Sequence, residues 1–401
     1  MKKKIVHIIT RFLNGGAEEN TLITCNYSVK KGDKVYLITG KDVDKEIIKK
    51  LNPKVKLIRI NNLIRDINFA KDLKSLFEII KILKPVKPDI VHTHESKAGA
   101  IGRIAAFFIR TKTIIHTVHI LPFLNVNFIK KFFYILIERS LSKITTKYIC
   151  VSQGMLNESL RFKVGHKSQY EVIHSGFDVK KYKKARKKLK ILGKKNNINH
   201  KTKILLMLGA FENRKRHLQI VNVFAKLIQT HKNIVLLLVG SGKLLNKIRR
   251  YVNKLNINKK VIFTGFKNNP ENYIALSDIC LMYSIREGLP RVVPQYISGG
   301  KPVVTTNLPG INEIIKNNFN GYIVNMFETK EFFSKLNLLL SNTKVLKRLT
   351  LGAKKTDTLK WSKNKMPIKI DNVYDKLLKK CWILITVAKN TPFVFQFSFL
   401  A

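Results

Sequence analysis

Short apolar runs alternate with segments of helix length from one end of the sequence to the other. The runs fall at residues 4–10, 34–39, 55–60, 89–93, 113–118, 148–152, 204–209, 234–239, 261–264, 279–283, 302–306 and 321–324. This alternation is typical of βαβ units, in which successive strands join a parallel sheet. A chain of 401 residues is also too long for one hydrophobic core. The pattern therefore predicts an α/β protein with two domains, each built on a parallel sheet.

The two sets of strands are separated by residues 177–202. This segment is dense in Lys and Asn and has little periodic apolar content, which is typical of a linker. We expect one domain at residues 1–176 and another at 203–365. The tail at 381–401 is apolar, but polar residues and a proline interrupt it before it reaches the roughly 20 residues that span a membrane. It is interpreted as a surface-lying or disordered extension of unknown role.

The formal net charge of +51 is extreme, and the lysines are spread along the whole chain. Two explanations stay open. One is a compositional bias toward Lys, Ile and Asn. The other is attraction to an anionic membrane surface, where each nearby cation contributes about 1 kcal/mol. A nucleic-acid partner is disfavoured, because no helix-turn-helix, RRM or zinc-finger pattern accompanies the charge.

The cysteines predict a reducing compartment. Cys25, Cys150, Cys280 and Cys381 are scattered and form no CxxC pair, so their spacing fits neither a zinc site nor a disulfide framework. The apolar residues 5–9 are too few for the core of a signal peptide and are interpreted as the first strand. We expect a cytoplasmic protein, with peripheral attachment to the inner face of the membrane if the charge has a function.

An aromatic and basic stretch at residues 128–137 has helical spacing. Such a helix can lie in a bilayer surface. It can also be a core-facing helix of the first domain, and this second interpretation is favoured from the sequence.

Two glycines, Gly15 and Gly16, follow the first predicted strand. Paired glycines in a βα turn let the backbone approach a phosphate or a sugar, with N–H groups and the helix dipole facing the ligand. A plain tight turn would explain them equally well. In the second half, Gly265 also ends a predicted strand, where an ordinary turn is again the alternative.

Histidines cluster at two strand ends of the first half. His92 and His94 alternate along one strand and therefore share a face, which is compatible with a metal pair. No third ligand follows at suitable spacing, so no metal is predicted. Glu95 comes directly after this strand, and His119 follows the next one.

Three cations, Arg214, Lys215 and Arg216, lie between a strand and a helix in the second half. Cations at a helix amino terminus oppose the helix dipole, so a bound anion would explain them. A solvated charged segment is the alternative. Glu287 is a lone carboxylate after the strand at 279–283, where α/β proteins hold polar ligands.

Several of these motifs, in order, resemble those of the retaining glycosyltransferases of family 4. They are the Gly-Gly-Ala-Glu turn at 15–18, the Thr-Val-His segment at 117–119 and the Glu-Gly-Leu-Pro segment at 287–290. The resemblance implies the GT-B fold, in which two Rossmann-like domains with parallel sheets face a central cleft. It also implies that a helix at 366–380 crosses back to the first domain.

The resemblance further implies a retaining hexosyl- or N-acetylhexosaminyltransferase that needs no cofactor and no metal. The donor would be a nucleotide-sugar, expected to be a UDP-sugar, and the acceptor a glycan or a lipid-linked glycan of a bacterial surface polysaccharide. The residues implied are Glu287, His119 and Lys215 for catalysis, His94 and Glu95 on the acceptor side, and Gly15, Gly16, Arg214, Gly265, Gly288, Leu289 and Gln295 for the donor.

The segment after Glu287 is expected to be helical. The amides of Gly288 and Leu289 would then lie at the helix start, with Pro290 in the first turn and Pro294 deeper, where it would tighten or kink the helix. Eight helical residues rise about 12 Å, which would let position 295 reach a ribose while Glu287 holds the sugar.

Three positions depart from the family pattern. Gln295 stands where a second Glu is usual, Ala210 where an Arg is usual, and Ile120 where a Gly is usual. The sequence therefore leaves two alternatives open, a GT-B sugar-nucleotide epimerase and a degenerate, non-catalytic GT-B binding subunit. An amide at position 295 still hydrogen-bonds ribose hydroxyls, so an active transferase is predicted.

Overall fold

The computed structural model describes residues 2–186, 198–199 and 201–390, with side chains described as far as Lys379. Residues 187–197 and 200 of the predicted linker and the last part of the predicted tail lie outside the described residues. The chain divides into two compact units. The first unit comprises Met1–Thr117, Ser140–Tyr148 and Pro367–Ala401, and the second comprises Val118–Arg139 and Ile149–Met366.

All twelve predicted strands are present among the described residues, together with one more, β7. The strands are β1 (Lys4–Ile9), β2 (Lys34–Gly40), β3 (Lys56–Ile60), β4 (Ile90–His94), β5 (Thr113–Val118), β6 (Lys147–Cys150), β7 (Tyr170–Val172), β8 (Lys203–Leu208), β9 (Ile234–Val239), β10 (Val261–Gly265), β11 (Ile279–Met282), β12 (Val303–Thr306) and β13 (Gly321–Val324).

These strands form two sheets. The seven-stranded sheet has the order β3-β2-β1-β4-β5-β6-β7, and the six-stranded sheet has the order β10-β9-β8-β11-β12-β13. The pairs from β1 to β5 and from β8 to β13 are parallel. The α/β class with two Rossmann-like parallel sheets is therefore confirmed.

The described residues form fourteen α-helices, of which the last three follow the final strand. They are α1 (Gly16–Lys30), α2 (Lys45–Ile48), α3 (Phe69–Val86), α4 (Ser96–Phe108), α5 (Phe128–Ser142), α6 (Gln153–Arg161), α7 (Val179–Lys184), α8 (His217–Thr230), α9 (Leu245–Lys254), α10 (Pro270–Leu276), α11 (Val292–Ser298), α12 (Thr329–Ser341), α13 (Thr343–Lys355) and α14 (Lys365–Asn390). In the part of the chain that the structure describes, no helix is both long and apolar enough to cross a membrane.

Both sheets are buried on their two faces, which explains the continuous apolar runs. In β1, Ile8 packs into a cluster with Ile38 and Ile79, whereas its neighbour Ile9 packs into a different cluster with Phe12. Successive side chains of a strand point to opposite faces, so the two clusters cover the two sides of the first sheet.

The carboxy-terminal helix α14 packs within the first unit. The Nζ atom of Lys3 lies 2.5 Å from Asp371 and 2.7 Å from Asp375. The hydroxyl of Tyr374 lies 2.5 Å from Nδ1 of His92. The part of α14 that begins at Pro367 therefore belongs with β1 and β4, although it follows the second unit in the sequence.

The prediction that the helix at 128–137 faces the core is wrong. Phe128 is 82% exposed and Phe132 is 57% exposed, whereas Glu138 and Leu141 are buried. The physical reason is that apolar residues occupy most of the circumference of α5, so the pattern alone does not show which face contacts the core.

The prediction that a helix starts directly after Glu287 is also wrong. Residues 287–290 are irregular, and α11 begins at Val292. Gly288 and Pro290 disfavour the helical conformation at and before them. Pro294 is consequently the third residue of α11, where its missing N–H leaves no intrahelical bond unmade. Gln295 therefore lies in the first turn of α11 and not two turns away from a helix start.

Candidate functional site

Glu287 is a buried carboxylate held by two cations of the second unit. Its Oε1 atom lies 2.6 Å from Nη1 of Arg214 and 2.6 Å from Nζ of Lys215. The Glu287 and Lys215 residues are each only 7% exposed. Both cations come from the 3₁₀ turn Asn213–Lys215, which follows β8, and Glu287 follows β11, the neighbouring strand. The strand order thus explains how residues more than 70 positions apart meet.

The ionisation of Glu287 is fixed by this environment. Burial acts to raise its pKa, but Lys215 and Arg214 outweigh burial and hold the pKa below its usual value. The pKa of Arg214 is raised, because Glu287 and Glu212 outweigh the effect of burial on the guanidinium. Glu287 is therefore an anion at neutral pH, and it can accept hydrogen bonds but cannot donate a proton.

The loop that carries these cations is held at several points. Nε of Arg214 lies 2.9 Å from Glu212, and its Nη1 donates to the carbonyl oxygen of Arg286. Arg216 adopts a left-handed backbone conformation, with φ 55°. Its guanidinium donates to the carbonyl oxygen of Met326 at 2.6 Å. These contacts preorganise the cations before any ligand arrives.

The site carries more positive than negative charge. Arg214 and Lys215 are paired with carboxylates, and Arg216 donates to a main-chain carbonyl. Arg291 donates to the carbonyl oxygen of Gly176 at 2.9 Å. Because the three consecutive cations at 214–216 exceed Glu212 and Glu287, the loop with Glu287 suits an anionic ligand such as a diphosphate.

His119 lies directly against the residue that follows Glu287. A Cβ atom at position 288 would overlap the carbonyl oxygen of His119, so only glycine fits there. The hydroxyl of Ser152 donates to the carbonyl oxygen of Gly288 at 3.3 Å. Burial, with Arg291 adding to it, lowers the pKa of His119 to about 3. The imidazole is therefore neutral at physiological pH.

Five of the predicted site residues thus come together in the second unit: Glu287, Gly288, His119, Arg214 and Lys215. Leu289 is buried next to them in the chain, and Gln295 lies partly exposed in α11. Gly265 ends β10 with φ 71°, a conformation that favours glycine.

The remaining predicted residues lie in the first unit. Gly15 caps the amino terminus of α1, and Gly16 is its first residue. His94 ends β4 and is buried. Glu95 follows with φ 61° and hydrogen-bonds Thr10; burial raises its pKa, and Arg11 and Thr10 oppose that effect. A positive φ at a non-glycine residue is a strained conformation that is typical of functional sites.

A third histidine joins the pair that the sequence singled out. His7 of β1 is paired in register with His92 of β4, and Nδ1 of His7 lies 3.0 Å from Nε2 of His94. The ligand atoms of the three imidazoles lie within 4.8 Å of one another, so this group can hold a metal ion. However, both ring nitrogens of His92 already contact hydroxyls, those of Tyr374 and Thr117, and an ion would displace one of them.

Sequence reasoning missed His7, Glu212 and Arg291 as members of these clusters. Parallel pairing of β1 with β4 was the signal for His7, because it places position 7 beside position 92. Glu212 is two residues from the first predicted cation, and Arg291 is four residues from Glu287. Residues this close in sequence to a predicted ligand-binding residue are candidates to hold its side chain in place.

A cavity of about 610 Å³ adjoins this loop in the second unit. Asn307, Asn312 and Asn317 line it, together with Met326 and Phe327. Arg216 contacts the same wall, since its guanidinium lies 5.6 Å from the ring of Phe327. Amide groups both donate and accept hydrogen bonds, as hydroxyl-rich ligands require.

Both halves of the chain match known protein families. Residues 14–181 match the family model described as Glycosyltransferase Family 4, and residues 190–356 match the one described as Glycosyl transferases group 1.

Individual relatives agree with these matches. The chain is 30% identical over 304 residues to the Escherichia coli UDP-Gal:alpha-D-GlcNAc-diphosphoundecaprenol alpha-1,3-galactosyltransferase, covering 74% of this chain and 77% of that protein. It is 24% identical to the Staphylococcus aureus capsular polysaccharide biosynthesis glycosyltransferase CapM, covering 79% and 84%. The crystal structure of Anabaena HepE with UDP-glucose superposes with a TM-score of 0.76 at 17% identity, covering 93% of this chain and all of that one. That structural likeness shows the fold.

Proposed function

Because this chain belongs to glycosyltransferase family 4, with the group 1 glycosyl transferase domain, we propose that it is a retaining transferase that uses a UDP-sugar. The observation that carries this proposal is the buried Glu287 carboxylate between Arg214 and Lys215, beside the Gly288 turn that His119 contacts. The UDP donor is supported by the name of the Escherichia coli relative, which uses UDP-Gal, and by HepE, whose structure contains UDP-glucose.

The cations of the site would stabilise the leaving group. When the bond between the anomeric carbon and the phosphate oxygen breaks, negative charge develops on the diphosphate. Arg214 and Lys215 are already fixed by Glu287 and by the loop, so they stabilise this charge without reorganising. Binding of the diphosphate would exchange part of their pairing with Glu287 for pairing with phosphate.

Glu287 would then hold the hydroxyls of the donor sugar. Its lowered pKa keeps it an acceptor, and its two ion pairs make it a poor nucleophile. In the front-face mechanism implied by the family, the acceptor oxygen bonds to the anomeric carbon on the face that the phosphate leaves. The acceptor hydroxyl gives its proton to a phosphate oxygen of the leaving UDP. Configuration is retained, and no enzyme base is needed.

The other predicted residues would position the substrates. Neutral His119 can exchange hydrogen bonds with a sugar hydroxyl, and the amides of Gly288 and Leu289 would face the donor. Residues 203–365 would form the nucleotide-sugar domain. Residues 1–176 would form the acceptor-side domain, in which Gly15 and Gly16 approach the donor and His94 and Glu95 contact the acceptor.

The names of two relatives support the proposed acceptor class. The Escherichia coli relative is named for a diphosphoundecaprenol-linked acceptor, and the Staphylococcus aureus relative for capsular polysaccharide. We assign this chain to the cytoplasmic face of the membrane, where it would add a hexosyl or N-acetylhexosaminyl residue to a lipid-linked glycan. The net charge of +51 supports an anionic surface as its partner.

The transfer is proposed to be independent of metal ions. Arg214 and Lys215 supply the positive charge that a divalent cation would otherwise supply to the diphosphate. Turnover should be unchanged when the purified protein is treated with EDTA and assayed without added metal. Loss of turnover that Mg²⁺ or Mn²⁺ restores would contradict this part of the proposal.

The decisive experiment is a panel of nucleotide-sugars incubated with membrane lipid extract, comparing the wild type with Glu287→Ala. We expect one donor to label a lipid product with the wild type and little or no product with the variant. Equal product from both proteins would refute the site assignment. Interconversion of the donor without an acceptor would instead support an epimerase, and UDP binding without turnover would support a non-catalytic subunit.

A further inference from the structure

The outward side of α5 carries six large apolar side chains, which we call the α5 apolar face. Their exposed fractions are high for residues of this type. The six residues are Phe128 at 82%, Ile129 at 67%, Phe132 at 57%, Phe133 at 55%, Leu136 at 51% and Ile137 at 46%.

These residues form one continuous strip. They lie in two adjacent rows with i, i+4, i+8 spacing, which share a side of a helix and extend about 13 Å along it. The opposite side of α5 packs inward and includes polar residues: Glu138 is 6% exposed and Ser142 is 8% exposed. Large apolar side chains therefore cover the solvent side of α5, which is polar in a helix that only covers a core.

Cations border the strip. Lys130 is exposed at its edge. Lys131, Arg139 and Arg161 surround Phe162: the Lys131 ammonium lies 4.6 Å from its ring, Nε of Arg139 donates to its carbonyl oxygen at 2.9 Å, and the Arg161 guanidinium lies 5.5 Å from its ring. Arg161 also lies 3.5 Å from Glu158. We call these four cations the basic border, and its net charge is positive.

The charge decides between two occupants of such a surface. A contiguous exposed apolar strip marks an interaction site. A second copy of this chain would bring another net charge of +51 toward the first, and the two would repel each other. An anionic bilayer satisfies both features, because it accepts apolar side chains beneath its headgroups and attracts the cations beside them.

We propose that the α5 apolar face inserts into the headgroup boundary of an anionic lipid bilayer, with the basic border on the lipid phosphates. This inference deepens the proposed function, because it names the membrane partner of an enzyme with a lipid-linked acceptor. Its test needs no turnover, so the two proposals fail separately.

The experiment is flotation of the full chain with phosphatidylcholine vesicles, with and without about one third phosphatidylglycerol. The wild type should float with the anionic vesicles and bind neutral vesicles at least about tenfold more weakly. Phe128→Glu combined with Phe132→Glu should weaken anionic binding by about tenfold or more. The matched control is Leu351→Glu, which changes an isolated apolar residue that is 56% exposed on α13 and should leave binding unchanged.

Three results would overturn the proposal. One is a wild type that does not bind anionic vesicles. Another is an α5 variant that binds anionic vesicles as strongly as the wild type does. If light scattering also shows that the wild type is a dimer and this variant is not, the α5 apolar face contacts a second copy of the chain. A third is loss of binding in Phe69→Glu combined with Phe77→Glu, which alters the exposed side of α3, while the α5 variant still binds. Circular dichroism and thermal unfolding would verify that each variant is folded.

Discussion

The Glu287 site and the α5 apolar face depart from the usual distribution of residues in opposite directions. At Glu287, a buried carboxylate is paired with the buried Lys215 and the partly buried Arg214. On α5, six large apolar side chains are exposed while Glu138 is buried. Buried charges and exposed apolar strips are both unfavourable for a chain that only has to fold. We therefore explain each feature by a binding partner. The partner is an anion for the charges at Glu287 and a lipid bilayer for the exposed apolar side chains of α5.

The two regions differ in how strongly the rest of the protein depends on them. The charges of the site are mutually dependent, since removal of one leaves another buried and unpaired. The apolar residues of α5 contribute little to the folded core, because their side chains already contact water. Substitutions in the two regions should therefore separate function from stability in different ways.

The largest effect is expected for Glu287→Ala. Turnover should fall by about 10²–10³-fold, and the free energy of unfolding should fall by about 3–5 kcal/mol, because Lys215 and Arg214 lose their buried partner. Donor turnover and urea unfolding measure the two losses. Glu271→Ala is the matched control, since Glu271 is also buried and lies 3.1 Å from Lys181. It should lose stability but keep turnover, and a loss of turnover equal to that of Glu287→Ala would refute a specific role for Glu287.

A smaller effect is expected for Gly288→Ala, which tests the packing that places Glu287. A Cβ atom at this position meets the carbonyl oxygen of His119, so the loop must shift at a cost of about 1–3 kcal/mol. Turnover should fall because the carboxylate moves with the loop. Gly209→Ala is the control for stability, because its Cβ would lie 3.6 Å from its nearest neighbour, the side chain of Lys215, which is an ordinary van der Waals contact. If both variants were equally stable and active, the contact between the His119 and Gly288 segments would be disproved.

The pH dependence of stability tests a buried group that carries no charge. Burial lowers the pKa of His7 to about 3, so the folded state keeps this imidazole neutral where the unfolded state protonates it. The unfolded state binds more protons below about pH 6.5, and the free energy of unfolding therefore falls as the pH falls toward 3.

At about pH 5, His7 alone should lower the free energy of unfolding by about 2 kcal/mol relative to neutral pH. Glu287 adds nothing in this range, because its lowered pKa lies below 4.5. Urea unfolding of the wild type and of His7→Gln at about pH 7.5 and about pH 5 measures the difference. The variant should lose less stability on acidification, and an identical loss would show that His7 does not titrate as described.

The smallest effect is expected for the stability of the α5 double variant, Phe128→Glu with Phe132→Glu. Since both side chains are more than half exposed, the free energy of unfolding should change by less than about 0.5 kcal/mol. Thermal and urea unfolding measure it. A loss of several kcal/mol would mean that α5 is part of the core, and the contrast with the site would disappear.

The strands and the site residues differ in how far the sequence predicts them. The twelve predicted strands are apolar runs, and most are buried on both faces. Short runs of this kind, bounded by turn residues, are typical of buried strands. β7 was missed because it has only three residues, Tyr170–Val172, and no apolar run. The meeting of Glu287 with Lys215 followed from strand ends at one edge of a sheet, together with the family resemblance.

Three other features depend on tertiary packing, which the pattern of apolar residues in the sequence does not reveal. α5 has apolar residues around most of its circumference, so its periodicity does not say which side is covered. The start of α11 depends on the local conformation of Gly288 and Pro290, and Gly288 packs against His119. The His7 contact depends on the register of β1 with β4, which only the folded sheet defines.

A calorimetric titration with UDP measures whether Arg214 and Lys215 of the second unit bind the diphosphate of the donor. The wild type is compared with Lys215→Ala and with Lys226→Ala, which removes an exposed ammonium from α8. Loss of a charged hydrogen bond should weaken UDP binding by Lys215→Ala about 10- to 100-fold, while Lys226→Ala binds as the wild type does. Unchanged UDP affinity in a folded Lys215→Ala protein would contradict the account.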